Sequence, residues 1–208
     1  MLPVKIPSWH GLCTGAIDLL RNDGGSAVLE FSIVLPLLVV FVVGIYDFSG
    51  AFNQKQKIEQ AAQEGAIVAG AQPTSDIYVG SSSNPNNPDS LQPVVYVVFN
   101  SLARSGVLTL ANQGSCILPP AVPTENGLKW TYTFSGCSGF TSDNLTIAID
   151  RGWVATGLPG SPAAVGATVT VTYPYHWQFN RVIQLLIPGA NYASVTNLSE
   201  AATVHSQM

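Results

Sequence analysis

The sequence predicts an α+β fold: a long N-terminal helix, membrane-spanning in its first half and a stalk in its second, packs on a small antiparallel β-sheet head. Three observations predict it. An almost uncharged apolar run fills residues 27–46, small residues recur every four positions as far as Gly70, and period-two alternation appears from Trp130 onward. Charge is scarce throughout. Eight Lys and Arg with twelve Asp and Glu leave about a tenth of the 208 residues charged, where a soluble domain carries roughly a quarter. The formal net charge is -4 with no basic block, which excludes the clustered cationic face that nucleic-acid binding requires. Ser, Thr, Asn, Gln, Gly and Pro take the place of the missing charge, as befits an exported chain.

Between Ala27 and Tyr46 the one charged side chain is Glu30. About 20 apolar residues cross a bilayer core, so this run is long enough. A secretory signal peptide has a shorter apolar run, about 7–15 residues, followed by a small-residue cleavage site. Asp47-Phe48-Ser49-Gly50 is a poor one. A retained membrane helix is therefore expected in preference to a buried soluble helix. Lys5 and Arg21 before the run balance Lys55 and Lys57 after it, so positive charge does not orient the span. Cysteine does. Cys116 and Cys137 both follow the run, in a Lys-poor, Thr- and Asn-rich region suited to an oxidising compartment. That places the N-terminus in the cytoplasm, with Cys13 on the reducing side. A Cys116–Cys137 bridge would close a loop of about twenty residues, worth roughly 3 kcal/mol on the chain-entropy model; two unpaired buried thiols are the alternative.

The helical pattern continues past the membrane. Ala61, Gly65 and Ala69 repeat every four residues, as do Ala62, Ala66 and Gly70. Such spacing strips one helix face of side chains and lets another backbone approach. The glycines argue for that role over simple helix propensity, since each costs about 1 kcal/mol in a helix interior. A continuous helix from Ser26 to about Gln72 would be roughly 70 Å long, with Pro36 expected to kink it. Gly80 to Ser90 reads as a turn-rich loop. Val94 to Phe99 has strand propensity, yet Asp89 or Ser90 as cap, Pro93 in the first turn and Gly106 after Arg104 punctuate a short helix. Helix is the choice here. Trp130–Phe134, Leu145–Ile149 and Ala167–Tyr173 alternate as strands with one packed and one wet face. A short helix over Trp177–Ile187 and a last strand around Ala193–Val204 complete the head.

Chemistry has few places to reside. His10, His176 and His205 have no Glu or Cys at metal-ligand spacing. No G-x-S-x-G, Walker loop or dinucleotide fingerprint occurs. We expect no catalytic residues, no metal site and no cofactor. Trp130, Trp153 and Trp177 could form a sugar-binding platform, but core or sheet-edge positions are the expected role.

Just before the apolar run stands Arg21-Asn22-Asp23-Gly24-Gly25-Ser26-Ala27-Val28-Leu29-Glu30-Phe31. A carboxylate at the membrane end of a helix needs water or a partner. Cleavage after Gly25 would supply one, a free amine on Ser26, with pKa near 8. Alternatively Glu30 is favoured by the positive helix end and snorkels to the interface. The residues alone leave these equal. The junction resembles the processing site of Flp-type prepilins, in which peptidase cuts after Gly and Glu stands at mature position five. The chain downstream of the junction resembles the TadE-like family of Flp (tight adherence) pilus-assembly minor pseudopilins. The matching residues are Glu30-Phe31, Leu35-Pro36-Leu37-Leu38, Gly44-Ile45-Tyr46-Asp47-Phe48 and the Ala-rich Ala61–Ala66. A weaker likeness extends over Ala167–Glu200.

The resemblance implies a non-enzymatic subunit of type IVc pilus assembly, processed between Gly25 and Ser26, with Glu30 and Phe31 docking it beside other subunits. Implied partners are prepilin peptidase, other pilins and pseudopilins, the Tad assembly platform with its ATPase, and membrane lipid, but no nucleic acid. The implied division is a cytoplasmic leader at 1–25, a transmembrane helix at 26–48, a helical stalk at 49–72 with Ala61, Gly65 and Ala69 as its packing face, and a head at 73–208. It would be a single-pass inner-membrane protein with a periplasmic or extracellular head. The competing expectation is an uncleaved, membrane-anchored binding or adhesion module.

Overall fold

The computed structural model describes residues 24–77, 88–108, 116, 119–124, 127–137, 144–155, 164–177, 184, 189 and 195–206. Helix α1 spans Gly24–Ala71 and helix α2 spans Gln92–Arg104. Five strands follow: β1 Val122–Thr124, β2 Lys129–Ser135, β3 Asn144–Ala155, β4 Ala164–His176 and β5 Val195–His205. They form one antiparallel sheet in the order β1-β2-β3-β4-β5. The fold is α+β, as the sequence patterns require.

The chain divides into two compact units, one ending at Tyr46 and the other starting at Asp47, so α1 contributes to both. In the first, α1 exposes Val28, Leu29, Phe31, Leu37 and Phe41 alike, and none of its most apolar window is buried. A helix apolar on all sides is built for a non-aqueous surrounding. It is long and apolar enough to cross a membrane, with a mean hydropathy of 2.7 in that window. The helix continues through Pro36, whose missing N–H removes one hydrogen bond of the ladder.

In the second unit α1 is one-sided. Ala51, Ile58, Ala61, Ala62, Ala66 and Ala69 are buried along one helix face, while Gln56, Glu59, Gln60 and Gln63 face out. The buried stripe, α2 and one sheet face enclose the core. Helix α2 contributes Val94, Val95, Val98 and Leu102, again at helical spacing. This spacing decides the contest with strand propensity, because four apolar groups enter the core only if the segment is helical. Its start differs from expectation. Leu91 is the N-cap, without a side-chain hydrogen bond, and Pro93 occupies the first turn. Asp89 instead accepts from Gln92 Nε2 at 3.3 Å, and Ser90 donates its amide to Asp76.

Alternation in the strands sorts their side chains. In β2 the buried residues are Trp130, Tyr132 and Phe134, and in β4 they include Val169 and Val171. The opposite face is hydroxylated, with Thr168 bonded to Thr203 at 2.8 Å and Thr172 to Ser199 at 2.9 Å. The register pairs Tyr132 with Ile147 and Ile147 with Val171, so the inward row runs straight across three strands. Strands β3 and β4 are longer than the alternation alone indicates, and β1 is an unexpected three-residue edge strand. Its central Pro123 is tolerated because an edge strand needs no donor on its outer side. Strand β3 is interrupted between Asp150 and Trp153 by a register shift. The expected helix over Trp177–Ile187 lies outside the described residues except for Trp177 and Gln184. The same is true of the Gly80–Ser90 loop up to residue 87, and of Cys13 with the rest of residues 1–23.

Candidate functional site

The α1 residues singled out in the sequence occupy two places. The first is the start of α1. Gly25 lies in the opening turn, exposed, with nothing within 4 Å of where a Cβ would stand. The first four N–H groups of a helix have no partner within it, and glycine favours the unwound state. Glu30 and Phe31 follow within two turns, both exposed on the same apolar helix.

The second place is the face of α1 against the sheet. Ala61 and Ala69 are fully buried, and Gly65 lies between α2 and β4. A Cβ on Gly65 would run into Val98 Cγ2 and stand 3.3 Å from Val169 Cγ1. One Cβ on Gly70 would stand 3.1 Å from the His205 carbonyl oxygen. The small-residue stripe is thus taken up by this chain's own head: glycine is what lets helix and strand come this close. Near the other end of the contact, Lys55 pairs with Glu200 at 3.0 Å.

Asp47 received no role from sequence reasoning beyond its place in a motif. It is the first residue after the apolar run, yet it is only 3% exposed. The Tyr175 hydroxyl lies 3.0 Å from Asp47 Oδ1 and 3.1 Å from the Asp47 carbonyl oxygen, so it can donate to either. Gly50, one turn on, makes room for that hydroxyl: a Cβ there would stand 3.1 Å from it. Trp177 packs edge-on against Tyr175 with ring centroids 5.0 Å apart, and its indole N–H donates to Thr196 Oγ1 at 2.7 Å. These groups clasp the end of β4 to the first turns of α1 in this unit.

A second clasp holds the far end of the helix. Arg151 continues the inward alternation of Leu145, Ile147 and Ile149 along β3 and is almost fully buried. Arg151 Nη2 donates to the Gln72 carbonyl at 2.6 Å, one of the carbonyls that a helix end leaves unpaired. Burial lowers the guanidinium pKa, and the nearby Asp76 carboxylate opposes that shift. Burial also raises the Tyr132 phenol, with Asp76 adding to the effect.

The sulfurs of Cys116 and Cys137 stand at disulfide-bonding distance, with Cα atoms 5.2 Å apart. Beside them is an apolar cavity of about 220 Å³ lined by Val95, Tyr96, Phe99, Cys116 and Phe134. It gathers no charged group. The tryptophans share no platform: Trp130 is in the core, while Trp153 lies opposite Gly166, eleven residues before Trp177 along β4. At 3.3 Å per residue that is about 35 Å. Among the described residues, no group of three or more His, Cys, Asp or Glu side chains could hold a metal ion.

Residues 25–66 match the family model described as TadE-like protein. The match covers the junction, the apolar run, Asp47 and the first part of the small-residue face, about a fifth of the 208 residues. No curated protein and no solved structure matches the chain. From the exposed glycine through the first part of the small-residue stripe, the N-terminal helix is similar to TadE-like proteins.

Proposed function

We propose that the chain is a non-enzymatic minor pilin or pseudopilin that acts in the assembly of Flp-type, tight-adherence pili. Prepilin peptidase cuts between Gly25 and Ser26, and the new amine and Glu30 then meet, within one subunit or between neighbours. The apolar part of α1 serves first as an inner-membrane anchor, with the N-terminus cytoplasmic and the head periplasmic, and later as a packing surface. Its partners are the peptidase, other pilins and pseudopilins, and the assembly platform.

The observation that carries this reading is an exposed glycine before Ser26 in the first turn of an apolar helix, with one carboxylate five residues past the glycine, inside a TadE-like segment. Glu30→Ala tests it in cells. The variant should still insert in the membrane, since it removes a charge from an apolar run, while surface pili recovered by shearing fall well below wild type. Normal pili in that variant would remove the role given to Glu30.

A further inference from the structure

Helix α1 is turned inside out where the apolar run ends. Asp47 is drawn under Tyr175, while Phe48 and Phe52, one turn apart on one helix face, are 67% and 56% exposed. That face then changes character. Lys55 and Glu59 follow Phe52 along it, and Lys55 pairs with Glu200 of β5. A carboxylate hidden and two phenylalanines displayed is the reverse of what water selects, and it is what an apolar surrounding selects.

The head contributes to the same end. Tyr175 reaches the level of Asp47 and Gly50, and the partly exposed Trp177 packs edge-on against it. Their hydroxyl and indole N–H are satisfied inside the head, by Asp47 and Thr196. The rings are thereby free to lie in a partly apolar layer at no hydrogen-bonding cost. Aromatic residues of this kind collect at membrane interfaces, where an apolar body meets a polar boundary.

We propose that Phe48, Phe52, Tyr175 and Trp177 form a membrane-interface contact, by which the head rests in the headgroup region of the bilayer that holds the apolar run. The contact depends on the membrane anchoring of the proposed function. Its occupant follows from chain continuity, because Asp47 directly succeeds the last residue of that run. The charged boundary then falls at Lys55, beyond the end of the apolar run itself.

Full-length protein carrying Trp9→Phe, which removes the tryptophan ahead of the membrane helix, is reconstituted in phosphatidylcholine vesicles and in matching vesicles brominated near the headgroup end of the acyl chains. Bromine should quench part of the tryptophan fluorescence. Trp177→Phe should lose most of that quenching, and Trp153→Phe should keep it. Undiminished quenching in Trp177→Phe overturns the contact. A nitroxide on Phe52→Cys, in a Cys13→Ser background, gives a second measurement that spares the tryptophan. Greater collision with oxygen than with a water-soluble nickel chelate supports the contact. The reverse order, or shielding from both by protein, overturns it. Alkaline carbonate separates the contact from the anchoring beneath it: release of the protein rejects the anchor, whereas a retained protein with unquenched Trp177 rejects the interface contact alone.

Discussion

Gly65→Ala puts the closeness of helix and head to a quantitative test. In an isolated helix the change should help, since alanine exceeds glycine by about 1 kcal/mol in a helix interior. Here the new methyl would run into Val98 Cγ2 and approach Val169 Cγ1 at 3.3 Å. Both valines are fully buried, and a β-branched side chain has little rotamer freedom with which to yield. Overpacking of this kind costs about 1–3 kcal/mol. With no free volume on either side the upper part of that range applies, leaving a net loss of about 1–2 kcal/mol after the propensity gain. Val98→Ala removes two methyls, worth about 1.6 kcal/mol at about 0.8 for each buried carbon. In the double variant the new methyl occupies part of the vacated space. It should therefore be more stable than the sum of the single losses by about 2 kcal/mol, a coupling of the size expected for residues in contact. Denaturant unfolding of the full chain in detergent, followed by far-ultraviolet circular dichroism, measures all four corners of the cycle. A Gly65→Ala protein more stable than wild type, with effects additive to those of Val98→Ala, would refute this packing.

Three further outcomes are expected of the same structure. Tyr175→Phe deprives the buried Asp47 of its hydroxyl donor and should cost about 1–3 kcal/mol in the same unfolding assay; an unchanged midpoint would dissolve that clasp. Reducing the Cys116–Cys137 pair, separated by 21 positions, should cost roughly 3 kcal/mol, and equal midpoints with and without reductant would argue that the pair is not bonded. Burial keeps the Tyr132 phenol neutral in the folded chain, while in the unfolded chain it ionises near pH 10. Its contribution is thus complete below about pH 10 and lost as pH rises beyond. Wild type should lose stability above that pH more steeply than Tyr132→Phe, and identical alkaline slopes would contradict the shift.

Much of the fold was legible because the governing patterns are local. The apolar run, the four-residue recurrence of Ala and Gly and the Val/Thr alternation each encode one element and the face it buries. Helix α2 was legible from its punctuation, though its cap was not, since Leu91 sits where a polar residue was expected. Non-local features stayed hidden. Arg151 extends the inward row of Leu145, Ile147 and Ile149, but a charged side chain gives no sign of burial, and its partner, the Gln72 carbonyl, lies 79 positions away. Asp47 and Tyr175 are 128 positions apart, and no spacing rule connects them. The last strand, expected around Ala193–Val204, stands as β5 at Val195–His205, but its eleven consecutive pairings with β4 could not be read from its own residues.

The proposed role turns on one bond, between Gly25 and Ser26. The intact mass of the protein purified from membranes of cells that make tight-adherence pili reads it directly. The expected species begins at Ser26, with the residues through Gly25 removed. A protein that keeps those residues in every molecule would contradict the proposed processing, and would leave an anchored head that no prepilin peptidase cuts.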